Sequence, residues 1–240
     1  MEPKKIIFII FILLILYYLI KYMTTTNSDL TTTVISGNTQ TIVTPSTASG
    51  ETLNFYYSIW FYIDSWSIDN EKILFLRGTN DEPCPKVFLG KNENNLFVEM
   101  SYQSSISVDN TNSVSTNTFI SPPVVNIPLQ KWVNVIVSVY GRTLDIYLDG
   151  KLVRTSLLPR IPYINPNSTT ITVCPSGYGF NGYTSLFQYY GVPATPQSSW
   201  NIYSKGYTGS SFGSITNAIG QYSIKLSLLN GQNETSSITI

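Results

Sequence analysis

Apolar and polar residues alternate with a period of two along much of this chain, most clearly from Trp132 to Val153. The sequence of this segment is WVNVIVSVYGRTLDIYLDGKLV. Such alternation places successive side chains on opposite faces of a strand. It is interrupted at Gly141-Arg142 and at Asp149-Gly150, and the second pair suits a two-residue turn that needs positive φ at both positions. The segment therefore predicts three antiparallel strands joined by two tight turns.

Other short apolar segments follow residue 53, each bounded by Gly, Asn, Pro or Asp. Leu53 to Ile63 predicts a long strand whose odd-numbered side chains face one side and whose even-numbered side chains face the other. Further strands are predicted at 73–76, 87–89 and 96–100. Short strands separated regularly by turn residues are typical of an antiparallel β-sandwich, and we expect an all-β fold.

One short helix and a terminal hairpin complete the predicted elements. Thr195 is a suitable N-cap, Pro196 occupies the first helical position, and Gly206 ends the helix. The chain then closes with alternating residues on either side of Asn230-Gly231, a strong signal for a two-residue hairpin turn.

The N-terminal segment Ile6 to Ile20 contains no charged residue. Its length of about 22 Å is short of a hydrocarbon core of about 30 Å, but a snorkelling Lys21 and interfacial tyrosines extend the usable helix to Met23. No small-residue cleavage site follows, so we predict an uncleaved single-pass anchor; a cleaved signal peptide and a buried core helix are the alternatives. The predicted anchor residues are Ile6, Phe8, Phe11, Leu14, Leu16, Tyr17, Tyr18 and Ile20.

Charge and composition then suggest the layout of the chain. Basic charge before the anchor exceeds that after it, which predicts a short cytoplasmic N-terminus and a domain across the membrane. We predict an anchor over 1–23, a Ser/Thr-rich stalk over 24–50 and one folded domain over 51–240. The β-prone arms Thr31 to Ile35 and Thr39 to Val43 leave a second possibility open, a hairpin at the sandwich edge.

Composition also excludes several classes of function. The 14 basic and 14 acidic residues cancel, and no Lys/Arg cluster follows the first five positions, so nucleic acid is not expected as a partner. The chain has no histidine, which removes Ser-His-Asp and Cys-His catalysis and histidine-bound zinc. We expect neither a cofactor nor a metal.

Several segments occur in an order that resembles the laminin-G-like domains of the concanavalin A-like lectin/glucanase superfamily. They are YYSIWFYI, ILFLRG, NLFVEM, IPLQKWVNVIVSVYGRTLDIYLDGKLV and GFNGYTSLFQYY, followed by TPQ. The resemblance covers Leu53 to about Gly206 and implies a jelly roll of two curved sheets, with functions from sugar binding to structural contact. The layout of anchor, stalk, domain and terminal hairpin resembles membrane and capsid-associated proteins of large icosahedral DNA viruses.

The superfamily includes glycoside hydrolases, whose active strand carries Glu-x-Asp-x-Glu or Glu-x-Asp-x-x-Glu, and this chain has neither pattern. Asp145 and Asp149 share a strand face, but they lie about 13 Å apart along the backbone, whereas a retaining glycosidase needs about 5 to 5.5 Å. We interpret Asp149 as a turn former and expect no enzyme. Asp64 with Asp69 and the pair Asp81-Glu82 are interpreted as solvated loop residues; a calcium site at this rim is the alternative that the resemblance implies.

Two pairs of residues are candidates for covalent modification. Cys84 and Cys174, the only cysteines, are candidates either for a disulfide or for two independent buried thiols. Asn167 and Asn233 each begin an Asn-x-Ser/Thr triplet and are candidates for N-glycosylation in a lumenal domain.

Aromatic side chains supply the candidates for ligand contact. Trp60, Tyr62, Tyr178 and Tyr183 are candidates for carbohydrate stacking, with core packing or contact with a protein as the alternatives. Our principal hypothesis is a non-enzymatic, membrane-anchored structural protein, a minor capsid or membrane component of a large DNA virus. It would link the lipid bilayer to other capsid or membrane proteins. The alternative hypothesis is a surface lectin that binds glycans, and a degenerate glycosidase has the least support.

Overall fold

The structure is a computed structural model that describes residues 13–17, 29–44, 53–106, 114–166, 170–208, 225–230 and 233–239. The strands are β1 Asp29–Thr31, β2 Ile35–Ser36, β3 Thr41–Val43, β4 Phe55–Ile63, β5 Lys72–Gly78, β6 Pro83–Leu89, β7 Leu96–Ile106, β8 Val114–Ile120, β9 Trp132–Tyr140, β10 Thr143–Leu148, β11 Lys151–Leu157, β12 Ile171–Val173, β13 Gly182–Tyr190, β14 Lys225–Asn230 and β15 Asn233–Thr239. A helix, Pro196–Lys205, lies between β13 and β14.

Two antiparallel sheets form a β-sandwich. The first has the order β1-β13-β4-β9-β10-β11, with β2 also paired to β13, and the second has the order β3-β12-β5-β6-β7-β8. Strands β14 and β15 form a separate two-stranded sheet. The all-β fold class, the two antiparallel sheets and the single short helix between strands match the sequence prediction and fit a jelly roll.

The core lies between the sheets and follows the alternation of the sequence. Five side chains of β4, namely Phe55, Tyr57, Ile59, Phe61 and Ile63, are fully buried there. Removing a large apolar side chain from water stabilises the fold by roughly 1.5–3 kcal/mol. The opposite face of β4 is also largely buried, because the helix lies over it and packs Ile202 against Tyr56, Ile136 and Tyr147.

The three-strand meander is confirmed. Strand β10 pairs with both β9 and β11, and the turn between β10 and β11 has positive φ at Asp149 (48°) and at Gly150 (75°). The Asp149 carboxylate accepts a hydrogen bond from the backbone N–H of Asn134 (3.0 Å) and lies 3.3 Å from the Lys131 ammonium. Asp149 is therefore the turn former that the sequence predicts.

The predicted helix ends are also confirmed. The Thr195 hydroxyl accepts a hydrogen bond from the backbone N–H of Ser198, and the Ser198 side chain reaches back to the backbone of Thr195, a capping box. Pro196 begins the helix and Gly206, with a φ of 74°, follows its last residue. These signals succeed because they depend only on neighbouring residues.

The central part of the stalk predicted over 24–50 forms strands of the sandwich instead. Strands β1 and β2 pair with β13 in the first sheet, and β3 pairs with β12 in the second. Residues 29–43 are thus part of the sandwich, in line with the edge-strand alternative, although the two arms pair with different sheets instead of with each other. Pairing with distant strands satisfies the backbone hydrogen bonds of this Ser/Thr-rich segment.

Of the predicted anchor, only residues 13–17 are described. They are helical, and Leu14, Leu16 and Tyr17 are each about half exposed. The other predicted anchor residues, Ile6, Phe8, Phe11, Tyr18 and Ile20, lie outside the described residues. Within the described ranges, no helix is both long and apolar enough to cross a membrane.

The structure does not join Cys84 and Cys174 by a disulfide; both are buried thiols. Cys84 lies on β6 and Cys174 directly follows β12, with β5 between these strands. Two strand spacings already amount to about 9.5 Å, which exceeds the Cα separation of about 7 Å that a disulfide tolerates. In this structure the two cysteines are therefore separate buried thiols.

The terminal hairpin forms, but its loop is displaced by one residue from the prediction. Asn230 pairs with Asn233, so the loop falls after Asn230 instead of including it. Asn233 begins β15, whereas Asn167 lies outside the described residues. Glycosylation of either asparagine stays a prediction.

Candidate functional site

Three loops at one end of the sandwich line an open pocket of about 680 Å³. They connect β4 to β5 (64–71), β6 to β7 (90–95) and β8 to β9 (121–131). The pocket, called the Trp66 pocket below, is lined by Trp66, Asn92, Glu93, Asn94, Asn95, Val125, Asn126 and Leu129. A volume of this size is ordinary for a small-molecule site.

Asparagine side chains fasten two of the loops to each other. The Asn94 amide donates to the carbonyl of Ile127 (2.9 Å), and the backbone N–H of Ile127 donates to the carbonyl of Asn94 (2.8 Å). The backbone N–H of Asn126 donates to the Asn95 side-chain oxygen (3.2 Å). Asn126 has a φ of 59°, a left-handed conformation that asparagine tolerates better than most residues. These bonds hold the side-chain amides of Asn94 and Asn95 in defined positions.

A carboxylate orients the amide of Asn95. The Asn95 nitrogen donates to Glu93 at 2.6 Å, while its oxygen accepts from Asn126 on the neighbouring loop. Asn95 is nearly buried, and Glu93 is exposed at the rim. An ionised carboxylate accepts hydrogen bonds but donates none, so Glu93 presents acceptors and negative charge to a ligand.

The loop that carries Trp66 is fastened to the same region. The Trp66 indole N–H donates to the carbonyl of Lys91 (3.2 Å), and the Lys72 ammonium lies 4.2 Å from the centroid of the indole ring. Lys72 is only 1% exposed, and its ammonium also donates to the carbonyls of Asn70 (3.0 Å) and Lys91 (3.4 Å). Burial lowers the pKa of Lys72, and the Asp69 carboxylate opposes this shift.

The lining combines apolar surface with fixed amides. Trp66 contributes an aromatic ring, and Val125 and Leu129 are exposed aliphatic side chains beside it. Each asparagine offers both a donor and an acceptor. Among the residues that the structure describes, no group of three or more Cys, Asp or Glu side chains could hold a metal ion. The arrangement suits a ligand with an apolar ring face and several hydroxyl groups.

The four aromatic residues predicted to contact carbohydrate lie elsewhere, and the structure brings only two of them together. Tyr183, Tyr62 and Trp132 form a row across β13, β4 and β9, with ring centroids 6.4 Å apart for the first pair and 5.8 Å for the second. Tyr207 stacks on Trp132 at 4.4 Å. Tyr183 is half exposed.

The other two predicted residues are separated from this row. Trp60 is 4% exposed and stacks on Tyr203 of the helix at 5.7 Å, so the ring face that a sugar would need is covered. Tyr178 packs on the second sheet, beside Ile73 and Phe88. The even-numbered face of β4 carries the aromatic residues Tyr56, Trp60 and Tyr62, but the sequence does not reveal that the helix covers part of it.

The acidic residues considered for catalysis have structural partners. Asp145 accepts a hydrogen bond from the Thr155 hydroxyl at 2.6 Å across the β10–β11 pair. Asp149 holds the turn described above. Glu82 accepts from Thr116 and from the Asn165 amide, each at 2.9 Å. These contacts agree with the interpretation of these carboxylates as structural or solvated groups.

The Trp66 pocket is not among the sites predicted from the sequence. Two signals for it were present: the asparagine-rich segment from Asn92 to Asn95 between two predicted strands, and a tryptophan, Trp66, in a polar loop. Neither signal indicates a site alone. Only the sheet pairing shows that these loops meet at the same end of the sandwich.

Comparisons with known proteins agree with the fold. Two solved structures of the receptor binding domain of botulinum neurotoxin C/D mosaic serotype superpose with TM-scores of 0.51 and 0.50, at 13% and 14% identity. They cover 72% and 71% of this chain, which spans 41% of each of those chains. Identity this low supports the fold alone. No match was found among curated proteins.

The family comparison is more direct. Residues 36–198, more than half of the chain, match the family described as the concanavalin A-like lectin/glucanases superfamily. The matched region includes β3 to β13 and all three loops of the Trp66 pocket. The chain belongs to the concanavalin A-like lectin/glucanases superfamily.

Proposed function

We propose that this protein is a non-enzymatic glycan-binding protein and that the Trp66 pocket is its ligand site. One observation carries the proposal: an open pocket is lined by an indole ring and by the side chains of Asn94 and Asn95, which are fixed by hydrogen bonds between loops, with Asn92 and Asn126 beside them. This is the lectin alternative of the sequence analysis, with a different set of contact residues.

The chemistry of a sugar matches this lining. A pyranose ring has an apolar C–H face that packs on an aromatic ring, and its hydroxyl groups both donate and accept hydrogen bonds. The amide side chains of Asn92, Asn94 and Asn126 supply the complementary donors and acceptors. Because the loops are already connected to each other, little conformational entropy is lost when a ligand binds.

Binding without hydrolysis is the consistent interpretation. A glycosidase of the usual kind needs two carboxyl groups on either side of the scissile bond. Glu93 is the one carboxylate in the lining of the Trp66 pocket, and it is engaged by the Asn95 amide. The chain also has no histidine to act as a general base.

We also propose that the domain is attached to a membrane as a single-pass protein with a short cytoplasmic N-terminus. The described part of the predicted anchor, 13–17, is helical and has exposed apolar side chains, which favours apolar surroundings. The structural role in a viral particle stays a hypothesis within this proposal. Recovery of the protein from purified particles only after detergent treatment would support it, and absence from the particles would refute it.

A glycan array followed by calorimetry tests the binding function. The full-length protein in detergent should bind a defined glycan, and Trp66→Ala should weaken binding at least tenfold by removing the stacking surface. Trp200→Ala is a matched control, because Trp200 is half exposed on the helix and lies outside the pocket lining. Equal loss in both variants, or no glycan bound at millimolar concentration, would refute the proposal.

A further inference from the structure

We infer that the sandwich stands on the bilayer by the end at which β1 begins, so that the Trp66 pocket points away from the membrane. The inference rests on the proposed membrane attachment and adds an orientation and a lipid-facing surface. It uses the direction of β1, the length of chain before it and the side chains at that end.

The direction of β1 follows from its register. Asp29 pairs with Gln188 and Thr31 with Phe187, and the chain continues until Ser36 pairs with Tyr183. The next residue of β13, Gly182, pairs with Ile63, directly before the first loop of the pocket. From Asp29 to Ser36 the chain therefore runs toward the pocket, and Asp29 is the end of this segment that lies farther from the pocket.

The connection between anchor and domain is short. From Met23, the end of the predicted anchor, to Asp29 there are six Cα-to-Cα steps, which span at most about 22 Å in any conformation. Asp29 is level with Ser58 of β4, through Gln188. From Ser58 to Ile63 the strand rises about 17 Å, and the pocket loops extend beyond it.

These two lengths distinguish the orientations. If the pocket faced the bilayer, the connection would have to turn back and run the whole distance from Asp29 past the pocket loops. A length of at most about 22 Å against about 17 Å of strand leaves about 5 Å, which is too little for the turn and the loops. Toward the other end, the strand from Ser58 to Phe55 measures about 10 Å, so the same connection reaches that end without a turn.

Exposed apolar side chains are available at the β1 end. Sheet register places Tyr140 and Leu157 there, because Thr143 pairs with both, and Val192 follows the end of β13. With Leu53 and Ile161 they are between 44% and 66% exposed. Single exposed apolar residues are common in proteins, so the short connection carries the inference. These are the side chains that the interface would cover.

Charge contributes little to the contact. Arg142 and Arg160 lie at this end, but Asp29, Asp81 and Glu82 lie there as well. Basic charges that do not outnumber the acidic ones give no net attraction to anionic lipid. The contact should therefore be similar in zwitterionic and anionic vesicles and insensitive to salt.

Depth-dependent quenching tests the orientation. Full-length Tyr140→Cys, Val192→Cys and Val125→Cys proteins are labelled with a fluorophore and reconstituted into phosphatidylcholine vesicles that contain nitroxide lipid. Both native thiols are buried, which favours labelling at the new cysteine. Val125 is 56% exposed in the pocket and serves as the control for the distant end.

The expected result is at least threefold stronger quenching at positions 140 and 192 than at 125. Flotation of the vesicles reports membrane attachment separately, and glycan binding reports the pocket. Flotation with equal quenching at all three positions, or with the strongest quenching at 125, overturns the orientation alone. Failure to float overturns the attachment and the orientation together, whereas loss of glycan binding alone concerns only the pocket.

Discussion

The ammonium of Lys72 lies 4.2 Å from the centre of the Trp66 indole ring, and both side chains donate hydrogen bonds to the carbonyl of Lys91. A cation near an aromatic ring contributes about 0.5 kcal/mol at an exposed site and about 2 kcal/mol when desolvated. Lys72 thus connects the strand β5 to the aromatic surface of the pocket.

Lys72→Met should weaken glycan binding about three- to tenfold by releasing the indole, as measured by calorimetry. Methionine keeps the apolar stem but removes the ammonium and its hydrogen bonds. Lys91→Met is the matched control, because the Lys91 contacts to Trp66 and Lys72 use the backbone carbonyl. Equal affinity in wild type and Lys72→Met would show that the ammonium does not position Trp66.

Asn94→Ala should lower the free energy of unfolding by about 1–2 kcal/mol and also weaken glycan binding. The substitution removes the hydrogen bond to Ile127 and leaves its carbonyl without that donor. Asn92→Ala, at an exposed lining residue, should weaken binding without a change in stability. Urea titrations of the three proteins measure the difference, and equal stabilities would contradict the proposed connection between the loops.

Glu93 should make the pocket selective for neutral glycans. Its carboxylate at the rim repels an acidic sugar, while the Asn95 amide remains its partner. Glu93→Gln should raise the affinity for a sialylated glycan relative to its neutral counterpart several-fold at low salt, and less at high salt. A preference that is the same in both proteins would show that Glu93 does not face the ligand.

On the outer face of the first sheet, substitutions at Trp60 and Tyr183 distinguish residues that stabilise the fold from residues that bind a ligand. Trp60→Ala should destabilise the protein by about 3–5 kcal/mol, because a large buried ring beneath Tyr203 is lost. Tyr183→Ala, at a half-exposed position, should cost less than 1 kcal/mol and leave glycan affinity unchanged. Loss of binding in Tyr183→Ala would move the proposed ligand site to the row of Tyr183, Tyr62 and Trp132, which includes two of the carbohydrate candidates chosen from the sequence.

Local patterns account for the parts of the fold that were predicted correctly. The Asp149-Gly150 turn and the Thr195 cap depend on a few adjacent residues, so their chemistry is visible in the sequence. The pairing of β1 with β13 joins residues more than 150 positions apart. A Ser/Thr-rich segment has the same composition as a stalk or as edge strands, and only the partner strand decides between them.

The Trp66 pocket could not be predicted for a related reason. Trp66, Asn94 and Asn126 belong to three loops, and alternation within strands does not specify which loops meet. Two of the aromatic residues chosen from the sequence, Trp60 and Tyr62, lie on one face of β4, but Trp60 is covered by a helix that follows much later in the chain. Contacts of this kind depend on tertiary packing, which no local signal reports.

Stability should fall in alkaline solution because of Cys174. Burial raises the pKa of this thiol from 9.0 to about 12, with a hydrogen bond to Thr184 opposing the shift. Between these values the unfolded chain loses a proton that the folded protein retains, so the free energy of unfolding decreases as pH rises; below pH 9 the group has no effect. One such proton gives a slope of about 1.4 kcal/mol per pH unit. Between pH 9.5 and 11, Cys174→Ala should remove nearly all of this one-proton contribution, so the free energy of unfolding should decrease less steeply as pH rises. Urea unfolding at several pH values measures the slope. An unchanged slope would show that Cys174 ionises in the folded protein as readily as in the unfolded chain.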